Sequence, residues 1–216
     1  MSEGFYQLFK SHLRGTIREE QHTGFVTFNE GNYFHDSRNP VGILSQFSEH
    51  YFNGAKQLEL SGKTDPMLLF PIEGELSIGS EQESQQIGPQ ELYITKPGQL
   101  FQVSNAFPDE ITRFYILQLK SHGLESGIHS YALGERNKLV SCYESTICSL
   151  SIGVFDGRQD ERFQTSQQHT FVTVINGAFE VQNRLMETND SLLAINDPNL
   201  EFEALSENAV ILFFSF

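Results

Sequence analysis

PMLLFPIEGELSIGSEQESQQIGPQELYITKPGQLFQVSN, residues 66–105 of a chain of 216, decides the fold. Met67–Ile72 is an apolar run, and Leu76 with Ile78 continues it beyond Gly74, where the backbone can turn without a Cβ penalty. Past a polar tip at 80–86, Gly88-Pro89 marks a turn before Leu92 and Ile94, which alternate with polar neighbours. Pro97-Gly98 marks another turn before Phe101 and Val103. Short alternating strands cut by Gly/Pro turns predict an antiparallel sheet or barrel.

A weaker copy follows about a hundred residues later. With Gly74 laid over Gly177, LLFPIEGELSI sits above FVTVINGAFEV, residues 171–181, each with an apolar strand before the glycine and apolar alternation after it. Leu92–Thr95 then matches Leu193–Asn196, and the aromatic run 114–117 matches 211–214. Two barrels in tandem is the economical reading.

The IEGEL turn, the Gly88-Pro89-Gln90-Glu91 turn and the duplicated barrel resemble the pirin family of bicupins, which includes members with quercetin dioxygenase activity. TFNEGNYFHD, residues 27–36, is similar to the segment that leads into the first barrel of bacterial pirin-like proteins. The resemblance runs from Thr27 to the C-terminus. It implies an all-β fold of two tandem cupin-type jelly-roll barrels. The domains expected are an N-terminal barrel at 1–120, a linker at 121–137 and a C-terminal barrel at 138–216.

Nineteen Phe and seven Tyr without a single Trp predict a core filled by rings, which suit a pleated sheet. Fourteen basic against 28 acidic side chains give a formal charge of −14, a surface that repels phosphate backbones and anionic lipid. Direct nucleic-acid contact and membrane binding are therefore not expected. No apolar run nears the ~20 residues needed to span a bilayer, and the N-terminus lacks an apolar signal core, so a cytoplasmic location is expected. Cys142 and Cys148 are read as reduced, buried strand residues.

Along the chain, Phe25–Phe28 reads as a strand, and Tyr33 and Phe34 as a plug for one barrel end. Val41–Phe52 supplies one or two strands, Asn53-Gly54 a hairpin turn, and Lys56–Leu60 the returning strand. Ile111–Leu119 closes the first barrel, and Ala209–Phe216 is the last buried strand of the second.

A metal-dependent cupin needs imidazoles and a carboxylate converging in the barrel. The resemblance implies three His and one Glu. Laid on this chain, the paired His positions fall at Leu60 and Gly62, the Glu position near Pro66 and the last His near Val103, none of them a ligand type. In the second barrel Phe163, Thr165 and His169 occupy the corresponding places, with His169 read as a core or rim residue. His50 and Glu49, adjacent on one strand, point to opposite faces and are not read as a proton-transfer pair.

The expectation is thus a pirin-like bicupin without a catalytic metal centre, acting in small-molecule binding, sensing or protein interaction. No catalytic residue, metal ligand or cofactor is assigned. Gln57, Leu60, Gly62, Phe101, Gln102 and Val103 are the candidates for lining a first-barrel cavity suited to a small apolar or aromatic molecule. The second barrel is expected to be filled by Phe171, Phe179, Phe202 and Phe213. Two alternatives remain open: an oxygenase resembling quercetin 2,3-dioxygenase, and a metal-free enzyme using a Glu or His inside the barrel.

Overall fold

A computed structural model describes residues 4–61, 64–79 and 84–216. The chain opens with strand β1 (Phe5–Phe9) and a single 3-10 turn, Ser11–Leu13. Strands β2 (Gly15–Glu19), β3 (His22–Val26), β4 (Leu44–Asn53), β5 (Gln57–Ser61), β6 (Met67–Glu73) and β7 (Leu76–Gly79) follow. Next are β8 (Ser84–Ile87), β9 (Glu91–Ile94), β10 (Leu100–Asn105), β11 (Ile111–Leu119) and β12 (Gly127–Ser130). The remainder holds β13 (Leu139–Glu144), β14 (Ser149–Phe155), β15 (Asp160–Gln164), β16 (His169–Asn176) and β17 (Ala178–Val181). The last strands are β18 (Arg184–Glu187), β19 (Ser191–Ile195), β20 (Asn199–Ala204) and β21 (Ala209–Ser215).

These strands form two units, each a jelly roll of one large and one small sheet. In Arg14–Ser130 the large sheet runs β12-β9-β6-β11-β4-β3-β2 and the small one β5-β10-β7-β8. Because side chains alternate across a strand, each sheet sends every second residue inward. Phe52, Met67, Leu69, Phe114 and Ile116 of the large sheet meet Leu76, Ile78, Ile87, Phe101 and Val103 of the small one. The other unit pairs sheet β1-β19-β16-β21-β14-β13 with β15-β20-β17-β18 around Phe155, Phe163, Phe179, Phe202 and Phe213.

The repeat seen in the sequence is a repeated corner. β6 lies in the large sheet and β7 in the small one, and the chain passes between them at Gly74 with φ of +70°. Gly177 does the same between β16 and β17, at φ of +81°. A Cβ at Gly74 would stand 2.7 Å from the Ile111 carbonyl oxygen and 2.9 Å from Thr112 Oγ1. One at Gly177 would overlap Ser206 Oγ. Both the left-handed backbone and the closeness of the next strand demand glycine there.

Several expectations need correction. Residues 4–13 do not belong to the N-terminal barrel, since β1 adds to the edge of the second unit with Phe5 opposite Ile195 and Phe9 opposite Ser191. Side chains fasten it: Tyr6 hydrogen-bonds Asp197, Lys10 Nζ lies 2.5 Å from Asp190 Oδ2, and the Ser11 amide donates to Asp190 Oδ1 at 2.8 Å. A five-residue strand does not reveal a partner about 190 positions away. Part of the expected linker is also a strand, because β12 pairs with β9.

The Asn53-Gly54 turn is not a hairpin. β4 pairs with β11 and β3, whereas β5 crosses to the small sheet and pairs with β10. Phe34 plugs nothing: it is 73% exposed, and only Tyr33 packs inward, against Gly15. Phe171 is buried but stands on the other face of β16 from Val172 and Val174, where its ring meets Phe9 at 5.8 Å.

Gly74→Ala is expected to destabilise the protein by about 1–3 kcal/mol through backbone strain, with a further penalty from the Ile111 contact. Chemical denaturation should show a lower midpoint. An unchanged midpoint would contradict the corner assignment.

Candidate functional site

The expected first-barrel residues divide by strand alternation. Phe101 and Val103 point into the core, with Leu60 packed half-buried against it. Gln57 and Gln102 lie on the opposite face and hydrogen-bond each other there, so neither lines the interior. A one-residue offset on β10 separates Gln102 from its inward neighbours. Gly62 lies outside the described residues.

A cleft of about 370 Å³ opens beside this core, lined by Glu30, Gln46, Glu59, Leu60, Ser61, Met67 and Gln118. Three of these residues stand side by side across the large sheet, Gln46 opposite Gln118 and Gln118 opposite Met67. Leu60 and Met67 supply an apolar wall, while Glu30, Gln46, Glu59 and Gln118 supply polar groups.

From the cleft a line of hydrogen bonds runs inward along the core face of β4. Gln46 Nε2 donates to Glu30 Oε1 at 3.0 Å and to Ser48 Oγ at 3.2 Å. Ser48 Oγ lies 2.9 Å from His50 Nε2, and His50 Nδ1 lies 3.0 Å from His22 Nε2. The two imidazoles stack at 5.3 Å, and Phe114 stacks on the other side of His50. β3 and β4 bring the rings together because Gly24, opposite His50, leaves room: a Cβ there would sit 3.1 Å from His50 Nδ1. The outer nitrogen of His22 has no hydrogen-bond partner, though Glu19 Oε2 lies 3.8 Å away, held by Lys56 Nζ at 2.8 Å.

Burial keeps both histidines neutral. It pushes His50 down to about 3, with the neighbouring His22 adding to the effect. His22 is also lowered by burial, against the pull of Glu19. Burial likewise raises the Glu30 carboxyl above its usual range. Ser48 beside His50 has the contact of a nucleophile and its base, but it is completely buried and meets no substrate.

The opposite face of β4 carries the fully buried Glu49. Arg14 Nη1 donates to its Oε2 at 2.8 Å, and Arg113 Nε and the Tyr51 hydroxyl each donate to Oε1 at 2.7 Å. Tyr115 completes the shell at 3.3 Å. Burial alone would raise the Glu49 pKa, but the Arg113 and Arg14 charges and the Tyr51 hydrogen bond outweigh it and hold it low. Burial, reinforced by Glu49, pushes Tyr51 up to about 12. This cluster ties β4 to β11 and to the chain ahead of β2, and its atoms are occupied by one another.

The positions that the family resemblance assigns to metal ligands do not form a donor set. Leu60 packs on the core, Val103 is buried in register with Leu58 and Ile78, and Pro66 is a buried ring. Among the described residues no three His, Cys, Asp or Glu side chains gather closely enough to hold an ion. A divalent transition metal requires several N, O or S ligands, and these residues do not fit one. In the second unit Phe163 stacks on Phe213 at 4.6 Å and His169 on Phe216 at 5.3 Å. Cys142 and Cys148 are buried free thiols, and burial pushes Cys142 up to about 12.

Two jelly rolls in tandem, each with a glycine corner between its sheets, define a bicupin. The fold is pirin-like. It matches bacterial pirin YhhW from Escherichia coli, solved in complex with nickel(II), with a TM-score of 0.81 at 14% identity over 98% of this chain and 99% of that one. The E. coli protein YhaK matches with a TM-score of 0.68 at 16% identity, over 88% and 92% of the two chains. Quercetin 2,3-dioxygenase from Acinetobacter baumannii matches with 0.71 at 10% identity, over 98% and 79%. No family model and no curated protein sequence matches the chain. At these identities the shared property is the fold.

The His22–His50 pair escaped sequence reading because its partners come from two strands whose pairing had no local signal.

Two acid-sensitive windows are expected in unfolding free energy. The histidines are depressed in the folded state, so their contribution is complete above their ordinary value of 6.5 and is lost as pH falls toward His50's value of about 3. The slope is at most about 1.4 kcal/mol per pH unit for each ring. Glu49 is also depressed, so its contribution is present above 4.5 and lost below that. Between pH 6.5 and 5 the slope should flatten in His50→Phe. Glu49→Gln, which leaves two buried guanidiniums without a counter-charge, should cost about 3–5 kcal/mol at pH 7. Denaturant titrations across pH check both; a slope in His50→Phe equal to that of the parent would contradict the neutral pair.

Proposed function

We propose that this bicupin binds a small organic molecule in the cleft between Gln46, Leu60, Met67 and Gln118, and does so without a transition metal at the positions the resemblance assigns to ligands. The observation that carries this reading is the cleft itself. Its volume of about 370 Å³ falls within the range of small-molecule sites, roughly 300–1,000 Å³, and its lining combines an apolar wall with a few convergent polar groups. Gln57 and Gln102, on the far face, have no part in it, whereas Leu60 lines it directly.

Binding or sensing is favoured over oxygenase chemistry because Leu60, Pro66 and Val103 offer no metal donor. An oxygenase resembling quercetin 2,3-dioxygenase has only the shared fold in its support. The formal charge of −14 supports a partner other than nucleic acid, and no helix among the described residues is long and apolar enough to cross a membrane. A cytoplasmic location and an additional protein partner belong to the same reading.

The test is a ligand-observed NMR screen of small aromatic compounds against the parent and against Met67→Trp, whose indole would fill the cleft. Hits should bind the parent and lose roughly tenfold or more in affinity, about 1.4 kcal/mol, in the variant. Should Met67→Trp unfold, Gln118→Trp tests the same volume. Hits that bind a folded, cleft-filled variant with unchanged affinity would refute the assignment.

A further inference from the structure

We propose that the buried chain His22–His50–Ser48 fixes the Gln46 amide with its nitrogen inward and its carbonyl toward the cleft, so that the cleft selects ligands presenting a hydrogen-bond donor, protonated amines above all, and rejects carboxylates. The inference rests on the reading of the cleft as a binding site and adds the chemical class of its ligand.

The direction of every bond follows from what each group can give. An ionised carboxylate only accepts, so the atom of Gln46 facing Glu30 Oε1 at 3.0 Å is the amide nitrogen. That nitrogen has two hydrogens, and the second goes to Ser48 Oγ at 3.2 Å. At the far end the Glu19 carboxylate, 3.8 Å from His22 Nδ1, favours a proton on that nitrogen. A neutral imidazole has one donor and one acceptor. His22 Nε2 then accepts from His50 Nδ1, His50 Nε2 accepts from the Ser48 hydroxyl, and Ser48 Oγ accepts from Gln46. Each member uses one donor and one acceptor, and the order leaves no bond unmade between His22 and Glu30.

Reversing the chain costs more. It would leave His22 Nδ1 as a bare buried lone pair and give the Ser48 hydroxyl no acceptor. Burial keeps both rings neutral, so the extra proton that would turn Ser48 against Gln46 is absent at neutral pH. With both amide hydrogens committed, the Gln46 carbonyl is the group left to the cleft, beside Glu30. Among the described residues that line it, none is Lys or Arg. An incoming ammonium or hydroxyl meets the Gln46 carbonyl and the Glu30 carboxylate, which an incoming carboxylate would face with like charge.

Three probes sharing one ring separate the outcomes: benzylammonium, benzyl alcohol and benzoate, titrated by NMR against the whole protein at pH 7, with the side-chain amide of Gln46 and the imidazole nitrogens observed. Benzylammonium should bind at least roughly tenfold tighter than benzoate, the scale of one unmatched polar group, with benzyl alcohol between them. Both histidines should show the Nδ1-protonated tautomer. Ser48→Ala, a buried change that touches no ligand, should reduce the benzylammonium preference by about threefold, since Gln46 then keeps only its Glu30 contact while the Glu30 charge remains. His50→Phe serves as the second variant.

Benzoate binding as tightly as benzylammonium would overturn the selectivity while leaving the cleft as a site. Nε2-protonated histidines, or a preference unchanged in Ser48→Ala, would overturn the positioning role. Failure of all three probes to perturb the cleft would overturn this inference, and the site reading with it if the wider aromatic screen also fails.

Discussion

Each unit depends on a strand that leaves its large sheet and enters the small one without room for a side chain. Gly74 and Gly177 make that passage at positive φ, with the neighbouring strand close enough to exclude a Cβ. A residue with a side chain would have to strain the backbone and push the next strand away at once. Closing the two sheets over a shared core follows from the corner, because only then do the inward residues of β6 and β7, or of β16 and β17, face the same interior. The cleft at Met67 is placed by the same event, at the start of the strand that Gly74 ends.

β4 shows how one strand can serve two polar environments. Its core face carries Gln46, Ser48 and His50, and burial without a counter-charge keeps the histidine neutral. Its other face carries Glu49, equally buried but supplied with two guanidiniums, and there the charged form wins. The difference is set by partners rather than by depth: an unpaired ionisable group in a low-dielectric interior gives up its charge, while a paired one keeps it. The first arrangement leads to a cleft and the second holds strands together.

The repeated corner was legible because it is local. An apolar run, a glycine and a second alternation occupy about a dozen residues in each copy, and ring-rich strands need no distant information to be recognised. What escaped the sequence is long-range. β1 joins a strand about 190 residues away, and the Asn53-Gly54 step looks like a hairpin although β5 takes β10 as its partner. The candidate site suffered from the same cause. Leu60, Phe101 and Val103 face the core, whereas Gln57 and Gln102, grouped with them as cavity candidates, stand on the opposite face by their parity on the strand. Gln46, Gln118 and Met67 become neighbours only through the register of three strands, and His22 meets His50 only through the pairing of β3 with β4. Pattern supplies faces; pairing supplies sites.

That the first unit works through side chains instead of a bound transition metal is the central claim, and metal content tests it most directly. Protein expressed without a His-tag and purified without added chelator would be measured by elemental analysis for iron, nickel, copper and zinc. The expected result is a metal-to-protein ratio close to zero, because Leu60, Pro66 and Val103 provide no donor and an ion holding only water there would be lost to solvent. A ratio near one, with anomalous scattering located inside the first unit of a crystal, would contradict it.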